Sequence, residues 1–146
     1  MATTARGRAP ALLWIVGFLG LLWNAFGCYD YLMTETGNAA YLAKATADQL
    51  AYMNSLPSWL TAFWALGVWG GLLGSILLLM RSRYAVSAYG LSFVGAIVSM
   101  GYQMFVVKMP ASMTAGAMAI MPWIILIVAA FLLWYSWSEE KKGVLR

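Results

Sequence analysis

The sequence predicts an all-α membrane protein, a bundle of four transmembrane helices in one domain over residues 1–146, and three observations carry that prediction. The chain is 63% hydrophobic and only 10% charged, a balance that water does not solvate as a globular surface. Four apolar runs are long enough to cross a bilayer. Most of the basic residues fall at one end of these runs, so the net charge of +4 speaks for membrane topology and against a nucleic-acid partner.

The first span is expected at residues 10–33. Its apolar run exceeds a signal-peptide core and has no small-x-small cleavage site before Asp30, so it should stay attached as an anchor. Gly17, Gly20, Asn24, Gly27 and Tyr31 recur three and four residues apart, which puts them on one stripe of the helix. In lipid no hydrophobic force joins helices, so close backbone approach through small residues is what holds a bundle.

Between the first two spans, Thr46 followed three residues later by Gln49 is a capping box. It predicts a short helix over 47–54, with a second over 38–45 before it. Tyr41 and Tyr52 give this segment aromatic edges, and it should lie on the outer membrane surface. Pro57-Ser58-Trp59 then opens the second span, 57–80, where Gly67, Gly71 and Gly74 repeat the small-residue device.

The turn around Ser82 is so short that the third span, 84–107, must run antiparallel to the second. Its seam is Ser92, Gly95 and Ser99, leading to Tyr102. After the loop "KMPASMTAGAMAIMPW", Met121-Pro122-Trp123 resembles the opening of span two. The fourth span, 120–138, has no small-residue seam and is aliphatic nearly all round, so it should face lipid or a partner protein. A helix rises about 1.5 Å per residue, so the first three spans reach about 36 Å and the fourth is the shortest. The tail "WSEEKKGVLR" is expected to be a solvated helix end.

Seven of the nine Lys and Arg (Arg6, Arg8, Arg81, Arg83, Lys141, Lys142 and Arg146) lie in the tails and the second connection. That asymmetry predicts cytoplasmic N- and C-termini. Lys44 and Lys108 remain for the outer side.

Chemistry is sparsely represented. The chain has no histidine and one cysteine, which removes the commonest general base, the commonest metal ligand and any internal disulfide. Cys28 reads as a small buried apolar residue. Met100, Met104, Met109, Met113, Met118 and Met121 offer thioethers suited to copper(I), but methionine is also ordinary filling and no second ligand type joins them. No metal, cofactor or catalytic residue is expected. Asn24, near the middle of its span, is read as a hydrogen-bonding link between helices. Asp30, closer to the outer end, is expected to pair with Lys108. If a ligand site exists, it should be an outward cup of Tyr29, Asp30, Tyr31, Tyr102, Gln103 and Lys108 beside Trp59, Phe63 and Trp64, with Asn24 below.

The stretches "LWNAFGCYDYLMT" and "LPSWLTAFWALGVWGGLLGSILLLMRSRYAV" resemble an uncharacterised family of small four-helix bacterial inner-membrane proteins that carries a loose "sugar transporter" label. The likeness covers about the first two thirds of the chain and rests on Asn24, Gly27, Asp30, Tyr31, Thr34, Tyr41, Tyr52, Pro57, Trp59, Trp64, Trp69, Gly70, Gly71, Gly74 and Arg81. It implies a bacterial inner membrane and transport, without a mechanism. Two functions follow from the residues. The first is a non-catalytic accessory or assembly subunit of a larger membrane complex, docking through the fourth span. The alternative is a small-solute transporter working as a dimer, with its site around Asp30. The partners expected are lipid and other membrane subunits or a second copy.

Overall fold

The computed structural model describes residues 10–146, apart from the side chains of Ser112 and Met118. Arg6 and Arg8, two of the basic residues used for orientation, lie outside the described residues. Helices α1 (Ala11–Glu35), α2 (Ala39–Leu42), α3 (Ala47–Ser55), α4 (Ser58–Leu79), α5 (Tyr84–Phe105) and α6 (Ala117–Lys141) follow in chain order, with a 3-10 turn at Ala111–Met113. No strand occurs among the described residues. α1, α4, α5 and α6 are each long and apolar enough to cross a membrane, the pattern of a multi-pass membrane protein.

The four long helices alternate in direction and pack in chain order. α4 lies against α1 on one side and α5 on the other, and α6 packs chiefly on α5. The end carrying Arg81, Arg83, Lys141, Lys142 and Arg146 is termed the basic end. There α1 and α6 also come together, through a buried cluster of Leu13, Val16, Leu78, Ala85, Tyr89, Leu132 and Tyr135.

Helix ends follow local chemistry. Thr46 accepts from the Gln49 amide at 3.2 Å while the Gln49 side chain accepts from the Thr46 amide at 3.2 Å, completing the expected capping box at the start of α3. α1 ends with Gly37 at φ 68°. The Asn38 amide reaches the Met33 carbonyl and the Gly37 amide reaches the Thr34 carbonyl, the paired bonds of a Schellman stop.

Two expectations are corrected. Pro122 does not open the last helix. Gly116, at φ 62°, starts it at Ala117, so Pro122 sits inside α6, unlike Pro57 at the start of α4. Nor is the C-terminal tail solvated throughout. Gly143 adopts φ 77° and reverses the chain, and Val144 and Leu145 turn back into the buried cluster, 4% and 5% exposed. Arg81, itself at φ 57°, holds this returning segment: its Nε donates to the Val144 carbonyl (3.1 Å) and its own carbonyl accepts from the Arg146 amide (2.8 Å).

Candidate functional site

α4 and α5 approach one another backbone to backbone. Ser92 Oγ donates to the Gly67 carbonyl at 2.6 Å, and Gly95 lies directly against the α4 backbone at Phe63 and Gly67. Gly70 faces the α5 backbone near Ala88 and Ser92, and Gly74 receives the ring of Tyr89. Next to them on the α1 side of the same stripe, Gly71 accommodates the Asn24 side chain. Gly27 of α1 rests on Val68, Gly17 on Leu79, and Gly20 meets Ser75, Leu132 and Tyr89. Ser99 is 2% exposed on α5, where its carbonyl accepts from Gln103 Nε2 at 3.2 Å.

Asn24 departs from its expected bonding. Its amide donates to the Gly20 carbonyl of its own helix at 2.8 Å rather than across to a neighbour. What it contributes between helices is shape, filling the hollow left by Gly71.

Beyond Gly20 and Leu132, away from the basic end, α1 and α6 enclose a cavity of about 370 Å³. Its floor is the small-residue face of α4 and α5, including Gly67, Ser92, Gly95 and Ser99; its flanks are Trp23 and Phe26 of α1 and Met121, Ile125 and Val128 of α6. Phe26 and Met121 are exposed, so the cavity opens sideways between α1 and α6. Asn24 lies on its wall near the middle of α1, and Asp30 and Tyr41 line it near the far end of α1. Among the described residues that line it, Asp30 is the one with a formal charge.

Asp30 does not pair with Lys108, which is exposed in the loop after α5. Its Oδ1 accepts a hydrogen bond from the Tyr41 hydroxyl instead. That bond, together with burial and the charge of Asp30, pushes the Tyr41 phenol up to about 12, because a phenolate beside a carboxylate is disfavoured. The Tyr41 ring also meets Tyr29 edge to face at 5.7 Å, and Lys44 Nζ lies 6.0 Å from its centroid.

The single outward cup expected from the sequence is divided into separate contacts. Tyr31 packs edge-on to Trp64 (5.0 Å) and Trp69 (6.4 Å) between α1 and α4. Trp59 packs on Tyr102 (5.0 Å) between α4 and α5. Gln103 Oε1 accepts from the Tyr52 hydroxyl at 3.1 Å, tying α3 to α5. Of the expected cup, Asp30, Phe63 and Trp64 line the cavity, with Asn24 below them.

Tyr41 is the residue that sequence reasoning passed over as a partner. It lies 11 positions beyond Asp30 in a short loop helix, and no periodicity links the two. Cys28 is buried, its thiol directed at the Val68 carbonyl at 3.4 Å. No family, no curated protein and no solved structure matches this chain.

Proposed function

We propose that the protein is a small-solute carrier of the membrane, binding an amphipathic molecule with its apolar body in the cleft between α1 and α6 and its polar end toward Asp30. The observation that carries this reading is the cavity of about 370 Å³ within the span region, apolar and aromatic over most of its wall, with one carboxylate near its far end. Ligand sites are characteristically concave and mostly apolar, with few polar groups to fix orientation. Asn24, Ser92 and Ser99 add neutral hydrogen-bonding groups along the wall.

The distribution of Lys and Arg supports a cytoplasmic basic end, with both termini there and α2 and α3 at the outer surface. Asp30 then belongs to the outer leaflet. The resemblance to inner-membrane proteins labelled as transporters agrees with this reading. A second copy closing the open side between α1 and α6 would complete the enclosure.

Saturable binding of tetraphenylphosphonium, a lipophilic cation, and of triphenylphosphine oxide, its neutral companion, to the purified full-length protein in maltoside tests the reading. Ala129→Phe, on the cavity wall, should abolish binding of both. Undiminished binding by a folded Ala129→Phe variant would overturn it.

A second reading is the accessory subunit. It is supported by α6, of whose span only 17% is buried. Covalent crosslinking from α6 to a stoichiometric second protein at native expression, together with no binding of either probe, would favour it.

A further inference from the structure

We propose that Tyr41 is a latch occupying the head-group position of the cleft, so that the solute is a cationic amphiphile whose positive head displaces Tyr41 from Asp30. This rests on the carrier reading above and names the class of molecule it takes.

Three observations converge. Asp30 is the one charged group among the described residues lining the cavity, and its Oδ1 is held by the hydroxyl of Tyr41, which itself lines the cavity. The carboxylate can accept from more than one donor, so the competition is for space: Tyr41 lines the cavity beside Asp30, and a bulky cationic head seated against that carboxylate takes the room the phenol occupies. Next, the element that presents Tyr41 is weakly attached. α2 is four residues long and none of them is buried, while Asn38 caps it from within by accepting the Tyr41 amide at 2.9 Å. Few buried contacts mean a low local opening free energy. Finally, the rest of the strap is moored elsewhere. Tyr52 of α3 is 7% exposed and bonded to Gln103 of α5, whereas Gly37, at φ 68°, joins α2 to α1. Release of Tyr41 thus needs motion of α2 between Gly37 and the α3 cap, with α3 remaining in place.

Charge sets the class of head group. A carboxylate in apolar surroundings demands a cation or strong donor as substitute for the phenol it loses. An anionic head would meet Asp30 with like charge. Lys44 sits by the Tyr41 ring and would leave with it, so the vacated position becomes more favourable to an incoming cation.

The test uses the full-length protein in maltoside with the same two probes. Tyr41→Phe removes the bond that holds this ring at Asp30 and should tighten tetraphenylphosphonium binding about tenfold, the scale of a lost hydrogen bond to a charged group. Triphenylphosphine oxide, which carries no positive charge to exchange for the phenol, should show no such tightening. Asp30→Asn should weaken the cation at least tenfold, and the neutral probe, which carries no positive charge, should show no comparable loss. On the wild-type chain, the cation should speed hydrogen exchange across Ala39–Leu42 while Ala47–Ser55 stays protected; the neutral probe should not. If Ala129→Phe blocks both probes but Tyr41→Phe leaves the cation unaffected or binding more weakly, the latch is refuted and the carrier reading survives. If Ala129→Phe blocks neither, both fall together. Slower exchange in α2 on cation binding would also refute the latch.

Discussion

Gly95 and Gly67 bring α5 and α4 together backbone to backbone. A Cβ on Gly95 would lie 2.6 Å from the Phe63 carbonyl oxygen and 2.7 Å from the Gly67 nitrogen. Neither atom is the movable tip of a side chain, so the helices themselves would have to part. Ser92 reinforces the same crossing by its bond to the Gly67 carbonyl. This crossing also forms the cavity floor, which links fold stability to the shape of the site.

Gly95→Ala should therefore destabilise the bundle by about 2–3 kcal/mol, the upper range for overpacking. Gly101 lies on the same helix, and a Cβ added there would meet nothing within 4 Å. Gly101→Ala should be neutral or stabilising by up to about 1 kcal/mol, through helix propensity alone. Thermal unfolding in detergent compares the two. Equal effects would mean that the α4–α5 approach does not limit stability.

Asn24 and Gly71 should behave as a coupled pair. A Cβ at position 71 would sit 2.0 Å from Asn24 Oδ1, so Gly71→Ala alone should cost about 1–3 kcal/mol. Asn24→Ala loses packing and the bond to the Gly20 carbonyl. In the double variant the smaller side chain at position 24 makes room for the new methyl. Its destabilisation should be less than the sum of the single effects by at least about 0.5 kcal/mol. A double-mutant cycle in thermal or denaturant unfolding reads this, and simple additivity would show that Asn24 fills no hollow of consequence.

The basic end supplies the next expectation. Leu145 is 5% exposed beside Leu13, Leu78 and Ala85, and Arg81 clasps the same segment through Val144 and Arg146. Leu145→Ala should cost about 2 kcal/mol, at the low end for buried leucine because the chain terminus can relax. Arg81→Ala should loosen the same contact, raising hydrogen exchange at Val144 and Leu145. A wild-type unfolding temperature after deletion of residues 144–146 would show that the tail does not seal this end.

How much of this was legible in the sequence depends on the range of the cause. The four long helices follow from apolar runs, which lipid requires wherever the chain passes, and the α3 cap follows from two residues three positions apart. Gly143 with Val144 and Leu145 after a charged helix end was a readable stop-and-return signal. It was outweighed by the run of Glu and Lys before it. The partner of Asp30 was not readable, since on charge alone Lys108 is the better partner for a carboxylate than the Tyr41 phenol. The path of the loop decides between them, and α2 brings Tyr41 back over α1. The cavity was equally hidden because it depends on α1 and α6 parting, a property of no single segment.

Tyr41 provides the pH test. Its phenol is held at about 12, foremost by the bond to Asp30 and then by burial and neighbouring charge. A phenolic pKa raised in the folded state means that the contact contributes its full stability below the ordinary value near 10. The contribution is then lost as pH rises from about 10 to about 12, because ionised Tyr41 can no longer donate to the carboxylate. Subtracting the phenolate absorbance titration of Tyr41→Phe from that of the wild type isolates this group. The difference should be centred near 12, and Asp30→Asn should move it downward toward the ordinary value. A difference curve centred near 10 in both backgrounds would mean that Tyr41 spends most of its time away from Asp30, with the latch already open.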